Sequence, residues 1–308
     1  MGNSKGIQRN KTDDIFNFIC YTLFHTSIIK VIAKLCFRNY LKEDLIREDK
    51  ALIVKLENPQ KAENLFADWQ EGCIWSALQG IMGDVYVDNG DNPASGAVVL
   101  GDFTFLAGKP NRELMLWKPS AGEKDFMILV PECDDWNEMI EDCYGSRAKK
   151  VVRYAIKKER DIFDQGRLEK VVLDLPGEYR ASVIDEELFN RCMSQEWCRD
   201  GVANYPDYDL FHRHGLGVVI LKGEEIVASC SSYSGFRDGI EIEVDTRADH
   251  RRQGLAYVCA AKLILECLDR DWLPSWDAQN LMSVGLAKKL GYHFDREYTA
   301  YEIKDYQL

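Results

Sequence analysis

Between Ile240 and Leu268 the chain changes its apolar period. Ile240, Ile242 and Val244 alternate with Glu241, Glu243 and Asp245 as far as Thr246, the period of two that a strand shows. From Leu255 onward LAYVCAAKLILECL is apolar at helical spacing. Arg251-Arg252-Gln253-Gly254 lies between them. A strand handing over to a helix in this way commits the region to a mixed fold. It also turns the unpaired amides and positive dipole end of the helix toward the loop. Gly254 permits unusual φ/ψ and a close approach to the backbone, and the arginines add positive charge. The local string supports a phosphate or pyrophosphate site, and equally a surface turn with solvated arginines.

Composition narrows the partners. The 308 residues are 46% hydrophobic and 29% charged, the balance of a globular protein with room for two domains. A formal net charge of −12 argues against nucleic acid or an anionic membrane as the main partner, because both need a basic surface. The ten cysteines include no C-x-x-C, and no histidine pair completes a zinc pattern. They read as reduced thiols in a cytoplasmic protein, several of them small core residues, with no metal. His212 and His214 form H-x-H without a completing ligand set and are better read as a lid or substrate contact.

Three segments emerge along the chain. Residues 1–49 read as an N-terminal helical segment, in which Ile15–Phe37 is apolar but interrupted by Asn17, His25, Lys30 and Lys34. A membrane span needs about 20 mostly apolar residues, so the expectation is an amphipathic helix packed on the protein or on a partner subunit, which leaves a homodimer open. Residues 50–160 read as a smaller α+β domain. Helical patterning runs from Pro59 to Met82, and strands are expected at Val85–Val87, Ala97–Leu106, Phe126–Val130 and 151–156. Asp134-Asp135 are expected to cap a helix. The polar stretch 157–167 marks a boundary. Residues 168–308 then read as a strand (LEKVVLDLP), a second strand, helices, two antiparallel strands, the strand 240–246, a helix, a strand (SWDAQ), a helix and a last strand from Tyr292. The shared order of the two halves hints that 50–160 is a degenerate copy of 168–308.

LPSWDAQNLMSVGLAKKLGYHF, from Leu273, gives the loop a context. Asn280, Ser283, Leu286, Gly291 and Tyr292 match an N-x-x-[AS]-x-x-[LF]-x-x-x-x-G-[FY] segment. Arg251-Arg252-Gln253-Gly254-Leu255-Ala256 matches a Q/R-x-x-G-x-G/A loop. Both motifs, in this order and on these elements, resemble the GNAT superfamily of acyl-CoA-dependent N-acyltransferases. The wording EIEVDT, R-x-x-G-L-A and P-x-W-D-A-x-N-x-x-S-x-x-L-A-x-K-L-G-Y is similar to the branch containing the zwittermicin A self-resistance acetyltransferase. The detailed resemblance covers about 240–303. It implies an α+β fold: a GNAT-type mixed, mostly antiparallel sheet flanked by helices in the C-terminal half, preceded by a smaller α/β domain.

The resemblance also implies an activity, N-acetylation of a small-molecule primary amine by acetyl-CoA, with a catalytically inactive CoA-binding module as the alternative. Main chain near Val244 and Thr246 would pair with the pantetheine arm, and Arg251, Arg252, Gln253, Gly254, Leu255 and Ala256 would hold the pyrophosphate. Asn280 would contact the pantetheine or fix the splayed strand end, and Ser283 would face the same groove. Transfer needs a base for the amine proton. Glu241 and Glu243 share a strand face and are the candidates, with Asp238 in reserve. The segment with Tyr205 and Tyr208 falls where the family often builds its acceptor site, and Asp207 and Asp209 would suit a cationic amine. Many family members carry a leaving-thiolate acid where this chain has Ala287, and Tyr257, Ser283 and Tyr292 are the remaining candidates.

Overall fold

The computed structural model describes residues 53–118 and 125–304. The expected amphipathic helix at Ile15–Phe37 and the rest of segment 1–49 lie outside the described residues. Among the described residues no helix is long and apolar enough to cross a membrane.

Among the described residues thirteen strands form two sheets. The first has eight strands in the order β1-β2-β3-β4-β5-β13-β6-β12: β1 (Val54–Lys55), β2 (Asp84–Val87), β3 (Ser95–Leu100), β4 (Phe103–Gly108), β5 (Phe126–Pro131), β6 (Ala148–Ile156), β12 (Asp277–Ala278) and β13 (Phe294–Lys304). The second, in the order β11-β10-β9-β8-β7, uses β7 (Tyr179–Val183), β8 (Gly217–Lys222), β9 (Glu225–Phe236), β10 (Gly239–Thr246) and β11 (Leu273–Ser275). It is antiparallel except for β10–β11. The mixed, mostly antiparallel architecture expected from the sequence is therefore present. The C-terminal β12 and β13 complete the first sheet, where β13 lies between β5 and β6.

Among the described residues eight α-helices cover the sheets: α1 (Gly72–Leu78), α2 (Arg112–Leu116), α3 (Asp134–Tyr144), α4 (Gln165–Leu173), α5 (Glu186–Met193), α6 (Tyr208–His214), α7 (Leu255–Leu268) and α8 (Leu281–Leu290). One core lies between the inner faces of the two sheets and takes in α1, through Val98, Phe105, Val130, Val219, Leu221, Cys73 and Ile74. A second packs α4, α7 and α8 on the outer face of the second sheet, through Leu168, Cys259, Ile264, Val284, Ile240 and Ile242. A third packs α2 and α3 on the outer face of the first sheet, around Trp136 and Ile140.

Several local expectations are corrected. LEKVVLDLP begins within α4: Leu168, Val171, Val172 and Leu175 pack together at helical spacing, and Asp164 caps the helix by accepting from the Arg167 amide. The stretch was expected as a strand, but its apolar period is helical. The single expected strand 97–106 spans a hairpin, with Gly101 at φ 56 in its turn. The helical stretch from Pro59 divides into a 3-10 turn (Pro59–Phe66) and α1. Cys133, rather than Asp134-Asp135, takes the cap position of α3, and the two aspartates lie in the first turn. SWDAQ divides at Trp276, where the chain changes sheet.

Candidate active site

The site begins where β10 and β11 part. They pair in parallel only from Gly239↔Leu273 to Glu241↔Ser275. Trp276 then leads the chain out, and Asp277 and Ala278 pair with Ala155 and Tyr154 of β6. β10 continues to Thr246 with β9 alone beside it. A V-shaped groove results, with its vertex at Glu241, Ser275 and Trp276. Along its β10 arm no described strand takes up the outer edge of Ile242–Thr246. Backbone groups on such an edge need partners, and an extended ligand carrying amides can supply them by adding as a strand does. The β9 register slips opposite Glu241/Ile242, leaving Tyr233 as the extra residue, and its hydroxyl accepts from the Asp102 amide at 2.8 Å. The bulge thus ties the vertex region to the β3–β4 turn.

At the open end of β10 lies the arginine loop. Arg252 (φ 62) and Gly254 (φ 80) are both left-handed. Gly254 occupies the cap position of α7 and provides no capping side chain. A Cβ at Gly254 would meet open space, so the backbone angle is what calls for glycine. The Gly254 carbonyl accepts from the Tyr257 and Val258 amides, and the amides of Leu255 and Ala256 have no intrahelical acceptor. Leu255 is buried and anchors the loop, so it can offer a ligand only main chain. Arg251 donates through Nε to the Thr246 carbonyl at 3.1 Å, and Gln253 accepts from the Tyr179 hydroxyl at 2.8 Å. Arg251 to Gly254 are exposed.

Glu241, Glu243 and Asp245 lie on the face of β10 opposite Ile240, Ile242 and Val244, which pack into the α7 core. Glu241 is buried. Its Oε2 accepts from the Ser275 hydroxyl at 2.6 Å, lies 3.6 Å from Lys158 Nζ and leaves no room for a side chain at Gly72. Its Oε1 is buried without a partner. Burial pushes half-buried Glu243 up to about 8, reinforced by Asp245 and opposed by Arg153. Asp245 rises to about 6, through burial and then Asp200. Buried Glu71, which precedes α1, is pushed up to about 8 chiefly by burial, with Lys158 opposing.

The facing wall is a second ionic group. Arg153 donates to Asp277 Oδ1 from Nε (3.0 Å) and Nη2 (2.6 Å). The Tyr298 hydroxyl donates to Asp277 Oδ2 at 2.9 Å, and the guanidinium lies 4.9 Å from the centre of the Phe103 ring. A cavity of about 320 Å³ borders Arg153, lined by Ile128, Val151, Val152, Gln279, Asn280 and Glu302.

Val244, Thr246 and the loop 251–256 therefore fall along one arm of the groove, and both candidate bases fall near its vertex. Asn280 and Ser283 lie on the other arm with their side chains engaged internally. Asn280 caps α8 by accepting from the Ser283 amide at 3.0 Å, and Ser283 Oγ accepts from the Trp276 indole at 3.0 Å. Asp238 lies in the exposed turn before β10. Tyr205 is buried and donates to Ser232, Asp207 caps α6, and His212 and His214 end that helix. Ala287 is fully buried, Tyr292 donates to the Pro274 carbonyl at 2.8 Å, and Tyr257 has Lys289 over its ring at 4.0 Å. Among the described residues no cluster of three or more metal-ligating side chains occurs. Glu71, Arg153, Lys158, Asp277 and Tyr298 were missed from sequence. Asp277 alone carried a signal, in the W-D-A wording.

Comparison with known proteins agrees with this geometry. A family model described as GNAT acetyltransferase matches residues 63–301. A crystal structure of a GCN5-related N-acetyltransferase-like protein from Streptococcus suis is 47% identical, with a TM-score of 0.75, covering 80% of this chain and 99% of that one. An uncharacterised N-acetyltransferase of Bacillus subtilis, YdfB, is 26% identical over 242 residues, 74% of this chain and 88% of that protein. A Drosophila protein at 14% identity and a TM-score of 0.50 shares the fold alone.

Proposed function

The chain belongs to the GNAT acetyltransferase family, and from that premise we propose that it moves an acetyl group from acetyl-CoA to the primary amine of a small molecule by direct attack in a ternary complex. The observation carrying this reading is the open β10 edge at Ile242–Thr246, running from the buried carboxylates to the uncapped amides of α7. Residues 168–308 supply the acetyl-CoA half of the groove. The pantetheine amides pair with main chain at Val244 and Thr246, and the Val244 N–H polarises the thioester carbonyl. The pyrophosphate lies on the amides from Arg252 to Ala256, with Arg251 beside it.

Glu243 is the base. With a value of about 8 its ionised form, which grows as the pH rises toward that value, is a stronger base than an ordinary carboxylate and can take a proton from an ammonium. The freed lone pair attacks the thioester carbon, the C–N bond forms, and the C–S bond breaks with its electrons on sulfur. A thiol titrates near 8.5, so the thiolate leaves without a fixed acid at Ala287. The proton first taken by Glu243 goes to solvent, and the second proton, left on nitrogen after the C–N bond forms, passes to the departing sulfur, giving a neutral amide and CoA thiol. Glu241 shares this face and completes the carboxylate pair. Glu243, Asp245 and Asp200 suit a cationic acceptor. The described cysteines are free, which suits a reducing, cytoplasmic setting. Closer kinship with the zwittermicin A self-resistance branch rests on segment wording.

The test is two-stage. Acetyl-CoA is titrated calorimetrically, then thiol release is followed with a panel of primary amines. Binding followed by amine-dependent release is expected. Binding without release by any amine would favour an inactive CoA-binding module, and absence of binding would overturn both readings.

A further inference from the structure

Lys158 follows β6, far in sequence from the groove's two strands, yet its ammonium lies at the vertex. Its side chain is 5% exposed. Nζ donates to the Trp276 carbonyl at 3.0 Å and lies 3.6 Å from Glu241 Oε2. It thereby touches β10 and the residue at which the β11 chain turns away from it. Burial alone would discharge this amine, but Glu241, Glu71 and Asp277 together outweigh it and raise its pKa. The adjoining segment is held as well: the Lys157 amide donates to the His293 carbonyl at 2.9 Å. Glu241 is consequently gripped on one oxygen only. Oε2 has Ser275 and Lys158, whereas Oε1 is buried and has no partner. A buried carboxylate oxygen without a donor is costly, and a ligand N–H would relieve that cost.

We propose that Lys158 is a positioning residue for acetyl transfer: it pins the vertex of the groove and turns Glu241 so that Oε1 accepts a hydrogen bond from the attacking amine. This rests on the acetyltransferase reading and deepens it. Half of the charged pair that sets the amine's approach comes from outside the acetyl-CoA half of the groove. Lys158 touches no reacting atom; its bond to Trp276 holds the vertex, and its effect on the attacking amine passes through Glu241.

The test uses the full chain and an amine, chosen from spermidine, lysine methyl ester and benzylamine, that wild type acetylates. Lys158→Met, Lys158→Arg, Glu241→Gln and the double variant Lys158→Met/Glu241→Gln are compared. Lys158→Met is expected to lower kcat about 100-fold, within the range for a misplaced proton-handling group, with the acetyl-CoA Kd changed less than twofold. Lys158→Arg should recover tenfold or more of that loss. In the Glu241→Gln background the lysine replacement should cost less than twofold further. Thermal unfolding gives a readout without turnover: Lys158→Met should unfold at lower temperature, because a buried charge loses its partner, and Glu241→Gln should restore part of the shift. Losses that multiply, an undiminished kcat, a loss confined to acetyl-CoA affinity, or no recovery of the unfolding temperature would each overturn the proposal while leaving the acetyltransferase reading in place. A wild type that binds acetyl-CoA and releases thiol with no amine overturns both.

Discussion

The loop Arg251–Ala256 and the charged centre at Glu241 lie toward opposite ends of one strand, β10, and are built in opposite ways. The loop is contiguous and exposed from Arg251 to Gly254. Its proposed work is done by main chain held in two left-handed turns at Arg252 and Gly254. The centre is buried and draws side chains from Glu71, Arg153, Lys158, Glu241, Asp277 and Tyr298. Holding a cofactor tolerates changes in side chains as long as the backbone angles survive. Setting a proton acceptor requires several distant segments to meet within a few ångströms. The two ends should therefore respond to mutation separately.

The largest expected effect lies at the buried end. Glu243→Gln should lower turnover by about 10²–10⁴-fold, as removal of a working base does, with the calorimetric acetyl-CoA affinity nearly unchanged. In wild type the rate should rise with pH through about 8, where Glu243 titrates. A Gln variant with normal turnover on a verified amine would erase the division between the two ends.

Gly254→Asp tests the other end. Aspartate tolerates left-handed angles better than most residues, and at this position it would cap the α7 amides that the pyrophosphate is proposed to use. The fold should persist while acetyl-CoA affinity drops about 10–100-fold, the worth of one lost charge-assisted bond of about 1.5–3 kcal/mol. Unchanged affinity in a folded variant would remove the loop from the site.

The third effect sharpens the contrast through stability. Burial raises Glu71 to about 8 and Asp245 to about 6, well above the ordinary carboxylate range. Between about pH 4.5 and 8 the native state then binds more protons than the unfolded chain. Stability is fully present below the unfolded value and is lost as pH rises through the folded one. The unfolding midpoint should fall by about 2–4 °C per pH unit for a slope near 1 kcal/mol, and Glu71→Gln should flatten the fall. A midpoint that climbs from pH 5 to 8 in wild type would show that these carboxylates are not strained by burial.

The same division explains what the sequence made legible. The β10–loop–α7 unit and the α8 segment were readable because each depends on neighbours in the chain: alternation, a left-handed glycine, helical spacing and Gly291 after α8. The order of elements from β10 to α8 followed from them. The centre was not readable, since nothing near Glu71 or Lys158 says that β6 exits beside Trp276. The split of SWDAQ between two sheets depends on β6 standing ready to pair with Asp277-Ala278, a partner more than a hundred residues away. Asn280 shows the intermediate case. Its position was found, but its carbonyl oxygen is used to cap α8, a role that any N-cap asparagine can take.

The smallest expected effect separates main chain from side chain within the loop itself. Arg251 is exposed and its Nε is engaged with the Thr246 carbonyl, so its contribution to the pyrophosphate is a charge in high dielectric rather than a fixed contact. Such charges are worth about 0.3–1 kcal/mol and are screened by salt. Arg251→Ala should therefore weaken acetyl-CoA by only about two- to fivefold in dilute buffer. The difference should shrink toward nothing at about 1 M salt, where the screening length is near 3 Å, while Gly254→Asp keeps most of its defect because it occupies the amides directly. Calorimetric titration of both variants at low and high salt makes the comparison. An Arg251→Ala defect as large as that of Gly254→Asp and insensitive to salt would mean that the loop grips its ligand through side chains, as the buried centre is built from them, and the two ends of β10 would no longer differ in kind.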